Sequence, residues 1–279
     1  PISTHTVSSA ASDVYKRQKY SSVIKPSIDK LDLILAQFES DKKRFNEIST
    51  QIKVDLCGNL KFDQDIPYEL EEISKTIRQD WSINGQKRPT LIASSTHEGE
   101  EEIILQAFKL ILKELPGALL ILVPRHLERF ERVKKIISKY DLSLASRSTK
   151  SEVTNSTEVL LGDTIGELNF LYSLSDVAFI GGSLIDHGGQ NLLEPSAQSL
   201  ALMSGPSLRN FADISDQLKK VKALDIIENS NELSNSFLKL IADKDELKEK
   251  GEAAFKVFME NRGALEVILN KLQFKLQSP

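Results

Sequence analysis

The sequence predicts an α/β protein whose main body is a parallel β-sheet covered by helices on both faces. Two observations predict it. From Arg88 onward, apolar runs of strand length are unbroken rather than alternating, as in Leu119–Val123 and Val177–Gly181. A strand buried on both faces reads that way, whereas a half-exposed strand alternates. These runs are separated by stretches long enough for a helix, and a parallel pair needs such a crossover. The expected domain is therefore Rossmann-like and doubly wound.

Taken in order, residues 20–30 read as helical and Leu31–Ala36 as a strand. Glu39–Ile48 is helix-like, and Ile52–Leu56 reads as a second strand. This β-α-β piece is too small to stand as a domain. Asp63–Pro67 reads as a linker, Tyr68–Trp81 as an amphipathic helix and Asn84–Pro89 as a turn-rich connection. The sheet region follows as Thr90–Ser94 then Glu98–Leu115, Leu119–Val123 then Leu127–Tyr140, and Leu142–Ser146. It continues as Glu158–Leu161 then Ile165–Leu174, Val177–Gly181 then Asn191–Leu200, and Ala201–Ser204 then Asn210–Lys222. Asn231–Ala242, Asp245–Met259 and Gly263–Leu276 close the chain as helices, their Lys/Glu mixture read as a solvated face.

The first residues stand apart. Ser8–Gln18, SSAASDVYKRQ, looks like a translated sequencing-library adapter, the alternative being a native Ser-rich tail. The expected organisation is thus a non-native, disordered segment at 1–18, an N-terminal domain remnant and linker at 19–66, and a main domain at 67–279. The chain has 279 residues, 40% hydrophobic and 27% charged, enough for one full domain and part of another. A net charge of -4 points away from nucleic acid. A single cysteine, Cys57, leaves no intrachain disulfide and fits a reducing compartment. No Cys/His spacing suggests a metal, and no apolar run is long enough to span a bilayer.

In a doubly wound sheet the ligand lies beyond the carboxyl ends of the strands. The first such loop, Ser94–Glu101, offers Ser or Thr as a helix cap, with glutamates at the positive end of the helix. Ser95, Thr96 and His97 are its candidate site residues. In the second, Pro124 and Arg125 precede His126. An arginine there can grip a phosphate or carboxylate with two hydrogen bonds, unless it pairs with Glu128.

The third loop, Gly162–Leu168, places Ile165, Gly166 and Glu167 at a helix start. Glycine in the first turn lets something approach the backbone, and free N–H groups there hold anions. The fourth, Gly181–Pro195, has two Gly pairs but neither dinucleotide nor P-loop spacing. Its candidates are Gly182, Ser183, Gly189, Gln190, Asn191, Leu192 and Glu194. Glu194 suits the paired hydroxyls of a ribose, or else partners the helix dipole. In the fifth loop, Ser204–Phe211, Asn210 reads as a helix cap.

Five segments in this order resemble the 3-deoxy-D-manno-octulosonic acid (Kdo) transferases: STHEGEE at Ser95–Glu101, LILVPRH at Leu120–His126, GDTIGEL at Gly162–Leu168, DVAFIGGSL at Asp176–Leu184, and GGQNLLE at Gly188–Glu194. The resemblance runs from about Lys19 to the end of the chain. It implies a GT-B glycosyltransferase, with this main domain holding the donor CMP-Kdo and no cofactor or metal. It implies cytidine and phosphate contacts from Pro124, Arg125, Ile165, Gly166 and Glu167, phosphate contacts from Asn191 and Leu192, and a ribose contact from Glu194.

The same resemblance implies inverting transfer to a lipid A precursor at the cytoplasmic face of the bacterial inner membrane. The general base would be a glutamate of the N-terminal domain, largely missing here. No catalytic base is therefore assigned, and membrane contact would come through that missing half. The isolated chain is expected to bind but not to transfer. The family pattern has His where this chain has Gln190 and Ser207. The competing readings are another GT-B enzyme using a different nucleotide sugar, and a non-catalytic nucleotide-binding module.

Overall fold

The computed structural model describes residues 25–63 and 68–277. The adapter-like reading of residues 1–18, the helix expected over residues 20–24 and most of the expected linker lie outside them. The chain forms two compact units, residues 1–63 with 261–279, and residues 64–260.

In the first unit, β1 (Ile34–Ala36), α1 (Glu39–Ile48) and β2 (Val54–Leu56) make the expected β-α-β piece, its two strands parallel. Ala36, Ile52 and Val54 form its small core. A 3-10 turn at Leu60–Asp63 follows. Its Asp63 carboxylate accepts the N–H of Gly263 and of Leu265, both at 2.6 Å, and so caps α10 (Ala264–Gln277) across the sequence. Lys271 Nζ adds an ion pair to Asp55 at 2.7 Å. The closing helix therefore groups with the N-terminal piece, whereas the sequence reading ran the main domain through to 279.

The second unit opens with α2 (Tyr68–Asp80). Then come β3 (Thr90–Thr96), α3 (Glu100–Glu114), β4 (Leu119–Pro124), a 3-10 turn (Leu127–Arg129) and α4 (Phe130–Ser138). β5 (Leu144–Ser146), β6 (Val159–Leu161), α5 (Leu168–Ser173) and β7 (Val177–Ile180) follow. Next are α6 (Leu193–Ala197), β8 (Ala201–Ser204), a 3-10 turn (Arg209–Phe211), α7 (Ala212–Lys220), β9 (Leu224–Ile226), α8 (Ser230–Ala242) and α9 (Lys244–Glu260). The strands form one parallel sheet in the order β5-β6-β4-β3-β7-β8-β9. The doubly wound architecture expected from the apolar runs is the one observed.

Four expectations need correction. β9 was not foreseen: it is a three-residue edge strand with only Leu224 buried, too short and too mixed to read as apolar. Asn210 does not cap a helix; it lies within the 3-10 turn and its Nδ2 donates to the His187 carbonyl. The expected helices at Ile165 and Asn191 begin later, at Leu168 and Leu193. And α8 is not merely a solvated face, because Leu233, Phe237 and Leu240 join the core beside Leu105 and Phe108 of α3. Each fully buried side chain of that kind contributes roughly 1.5–3 kcal/mol.

Candidate functional site

Because all the strands of the large sheet run parallel, their strand-to-helix loops collect along one edge. The chain leaves β3 for β4 on one side, while β7 lies on the other. This reversal opens a crevice between the loops that follow β3 and β7.

Beside that crevice is a cavity of about 410 Å³ lined by Ser95, Pro124, Arg125, His126, Ile165 and Gly166, among others. β4 supplies Pro124 as its last residue, so Arg125 leaves the sheet directly at the cavity. The Arg125 side chain is exposed and has no ion pair or hydrogen bond among the described residues. Glu128 lines the same cavity but does not pair with it. The guanidinium thus keeps its charge and its donors for a ligand.

The opposite wall is backbone. Gly166 has φ +80 and nothing within 4 Å of the position a Cβ would take. It precedes α5 rather than sitting in its first turn, and Glu167 is the cap residue. The left-handed φ by itself accounts for the glycine. Ile165 beside it is 76% exposed. No hydrogen bond engages the N–H of Thr164, Ile165 or Gly166 among the described residues. Ser95 also stands in the left-handed region, with φ 54, at a break in the β3–β4 register. A non-glycine residue held there stores strain, which concentrates at functional sites.

Asn191, Leu192 and Glu194 do not line this cavity. They sit at the start of the five-residue α6, where Asn191 Nδ2 donates to Glu194 Oε1 at 2.8 Å and Asn191 Oδ1 accepts the Leu193 N–H at 3.0 Å. Leu192 is fully buried, backbone included, and presents no surface to a ligand in this arrangement. Histidines connect the two places. The His97 ring stacks on His187 at 4.4 Å and meets His126, a cavity residue, edge-on at 5.3 Å. Gln190 Nε2 donates to His97 Nε2 at 3.0 Å. An amide nitrogen can only donate, so His97 carries its proton on Nδ1. Burial, then the neighbouring His187, His126 and Arg129, hold the His97 pKa down to about 4, leaving the ring neutral near pH 7.

The glycine-rich loop after β7 is not an open anion cradle. Glu100, fully buried, accepts the N–H of Ser183 and of Leu184 on Oε1, both at 2.9 Å. On Oε2 it accepts Gly182 N–H at 2.7 Å and His97 N–H at 2.9 Å. The amides of Gly182 and Ser183 are therefore already spent, which removes them as ligand donors. Gly181 is required because a Cβ there would lie 2.7 Å from the Ser95 carbonyl oxygen. The Gly189 N–H is likewise engaged, by the Gly182 carbonyl at 2.8 Å. The first loop differs from its expected role too. Gly99 caps α3, while Ser94 meets the Tyr172 hydroxyl and Thr96 donates to Glu101 Oε1.

A family model described as 3-deoxy-D-manno-octulosonic-acid transferase (kdotransferase) matches residues 7–64, a range that includes the whole adapter-like stretch Ser8–Gln18. The chain is 38% identical over 245 residues to the 3-deoxy-D-manno-octulosonic acid transferase of Haemophilus influenzae, covering 87% of this chain and 57% of that relative. It also matches the crystal structure of the C-terminal CMP-Kdo binding domain of WaaA from Acinetobacter baumannii. That match has 32% identity and a TM-score of 0.64, over 68% of this chain and 98% of that one. The chain belongs to the Kdo transferase family. It spans about half the length of the curated relatives it matches. A glycosyltransferase from Rickettsia africae, 15% identical with a TM-score of 0.57, covers 97% of this chain and 67% of its own, and shares the fold.

Within this member of the Kdo transferase family, sequence reasoning missed two organising residues. Glu100 read as a helix-dipole glutamate, and only its total burial reveals the loop-holding role. Arg147 went unremarked. Its fork grips Glu167 through Nε–Oε2 at 3.1 Å and Nη2–Oε1 at 2.8 Å, and its guanidinium lies 5.2 Å from the Phe170 ring centre. The Glu167 side chain therefore faces away from the 410 Å³ cavity and is not among its lining. The two departures from the family pattern both tie loops. Gln190 holds His97, and Ser207 Oγ accepts the Gly188 N–H at 3.0 Å.

Proposed function

We propose that this chain is the donor-binding part of a Kdo transferase, holding CMP-Kdo while the sugar passes to a hydroxyl of a lipid A precursor. Arg125 carries the reading. It is an uncompensated guanidinium at a strand end, facing a backbone wall whose Thr164, Ile165 and Gly166 amides have no partner among the described residues. The relationship to the Acinetobacter CMP-Kdo binding domain supports cytidine monophosphate as the nucleotide.

In this reading the acceptor oxygen forms a bond to the anomeric carbon of Kdo as the bond from that carbon to the phosphate oxygen breaks. CMP departs with the electron pair, and the configuration inverts. Arg125 and the free amides hold the charge that grows on the leaving phosphate. The acceptor proton passes to a base outside the residues named here, on the family pattern a glutamate of the N-terminal domain. Asn191 and Glu194 stand outside the 410 Å³ cavity and bond each other, so in this reading they would reach the phosphate side and the ribose only after that hydrogen bond opens and they turn toward the ligand. A lipid acceptor sets the site of action at the cytoplasmic face of the bacterial inner membrane. No helix among the described residues is long and apolar enough to cross a membrane.

Calorimetric titration of the full chain with CMP, UMP and AMP tests this. The expected result is saturable binding of CMP and much weaker binding of the other two. Equal binding of UMP, or no binding of CMP at millimolar concentration, overturns it.

A further inference from the structure

The loop between β6 and α5 is a thin wall between two cavities. On one side is the 410 Å³ cavity with Arg125; on the other is one of about 820 Å³ that includes Arg147, Glu167 and Phe170. Thr164 lines both. Carboxylates anchor the loop at both ends, on partners from α4, from the end of β5 and from the segment after it. Asp163 accepts from Ser146 Oγ at 2.7 Å, from the Ser148 N–H at 2.9 Å and from Ser148 Oγ, and pairs with Lys134 at 3.1 Å. Glu167 takes the Arg147 fork and the Thr164 hydroxyl. Between the anchors, Ile165 and Gly166 make no hydrogen bond among the described residues that would hold them.

We propose that Arg147 is a positioning residue: from behind the loop, its bidentate grip on Glu167 sets the Ile165–Gly166 backbone in the geometry that receives the nucleotide phosphate, without touching the ligand itself. This rests on the donor-binding reading above. The physical basis is preorganisation. A wall already fixed in its binding conformation does not spend binding free energy on ordering itself. A planar fork fixes direction as well as distance, which a lysine ammonium does not. The stacking of Arg147 on Phe170 of α5 holds the fork in place.

The test uses the full chain, CMP titration and the amide resonance of Gly166 in the free protein. Arg147→Ala and Glu167→Gln are each expected to weaken CMP binding about tenfold and to move or broaden the Gly166 resonance before nucleotide is added. The double variant should lose no more than either single one, because both break the same contact. The swap R147E/E167R should recover part of the affinity. If Arg147 instead touched the phosphate, Glu167→Gln would free the guanidinium and leave CMP binding equal or tighter, which overturns the proposal. So does a Gly166 resonance unmoved in both single variants. Should Arg147→Ala fail to fold, Glu167→Gln decides alone. Absence of CMP binding by the unmutated chain defeats the donor-binding reading instead. The Gly166 resonance still reports on the grip in that case.

Discussion

The Glu100 carboxylate accepts the backbone N–H of Ser183 at 2.9 Å across 83 residues of sequence. With Gly182, Leu184 and His97 also donating to it, one buried side chain at the start of α3 holds the turn after β7 in shape. Glu100→Gln replaces one of two acceptor oxygens with an NH₂ group facing N–H donors. The expected loss is about 3–5 kcal/mol, since removing one side of a buried charged network leaves its partners unpaired. Urea unfolding measures it. A loss below about 1 kcal/mol, the range of surface changes, would mean the loop holds its own shape.

Two glycines should respond unequally to alanine. At Gly205 a Cβ would stand 2.3 Å from the Ser183 carbonyl carbon, backbone that cannot step aside. Gly205→Ala is expected to cost more than about 3 kcal/mol, or to prevent folding. At Gly166 the added Cβ meets open space, so only the φ of +80 opposes it. Gly166→Ala should cost about 1–2 kcal/mol. Parallel denaturation curves compare them, and equal losses would contradict the geometry.

Arg125 separates binding from stability. It is exposed and unpaired among the described residues, so Arg125→Ala should change unfolding free energy by no more than about 0.5 kcal/mol. Loss of a charge-assisted phosphate contact should weaken CMP binding by about 1.5–3 kcal/mol. Cytidine, which lacks the phosphate, should bind both proteins alike. An equal loss for cytidine would assign Arg125 to the base or sugar.

His97 makes the fold acid-sensitive. Its folded pKa, about 4, lies below the value near 6.5 of an unfolded chain, so between those values the unfolded state binds more protons. Its contribution to stability is complete above about pH 6.5 and is lost as pH falls toward 4, on the order of 2–3 kcal/mol in all. The groups facing it are His187, His126, Arg129 and Glu101, of which only Glu101 favours the proton. His97→Asn should flatten this part of the pH–stability profile. Asp163, held down to about 2 because hydrogen bonds from Ser148, Ser146 and Lys134 outweigh its burial, acts lower, between about pH 4 and 2. An unchanged slope between pH 6.5 and 4 in the variant would rule out His97 as its origin.

Much of this was legible in the residue order. The runs ending at Pro124 and Leu161 are apolar throughout because those strands are covered on both faces, so the loops after them were located in the sequence, and Arg125, His126 and Gly166 were chosen from them. β9 escaped because a short edge strand is covered less and carries no apolar run. Asn191 and Glu194 were chosen from the same pattern, yet they bond each other outside the 410 Å³ cavity.

The sequence by itself determined the α/β class, the strands of the sheet apart from β9, and which loops reach its carboxyl edge. These follow from periodicity and from local backbone chemistry, which need only neighbours in the chain. Only the tertiary structure decided which polar groups are free. Glu100 meets its amides 82–84 residues away and Glu167 meets Arg147 twenty residues back, so whether a glutamate faces ligand or protein depends on strand order and burial.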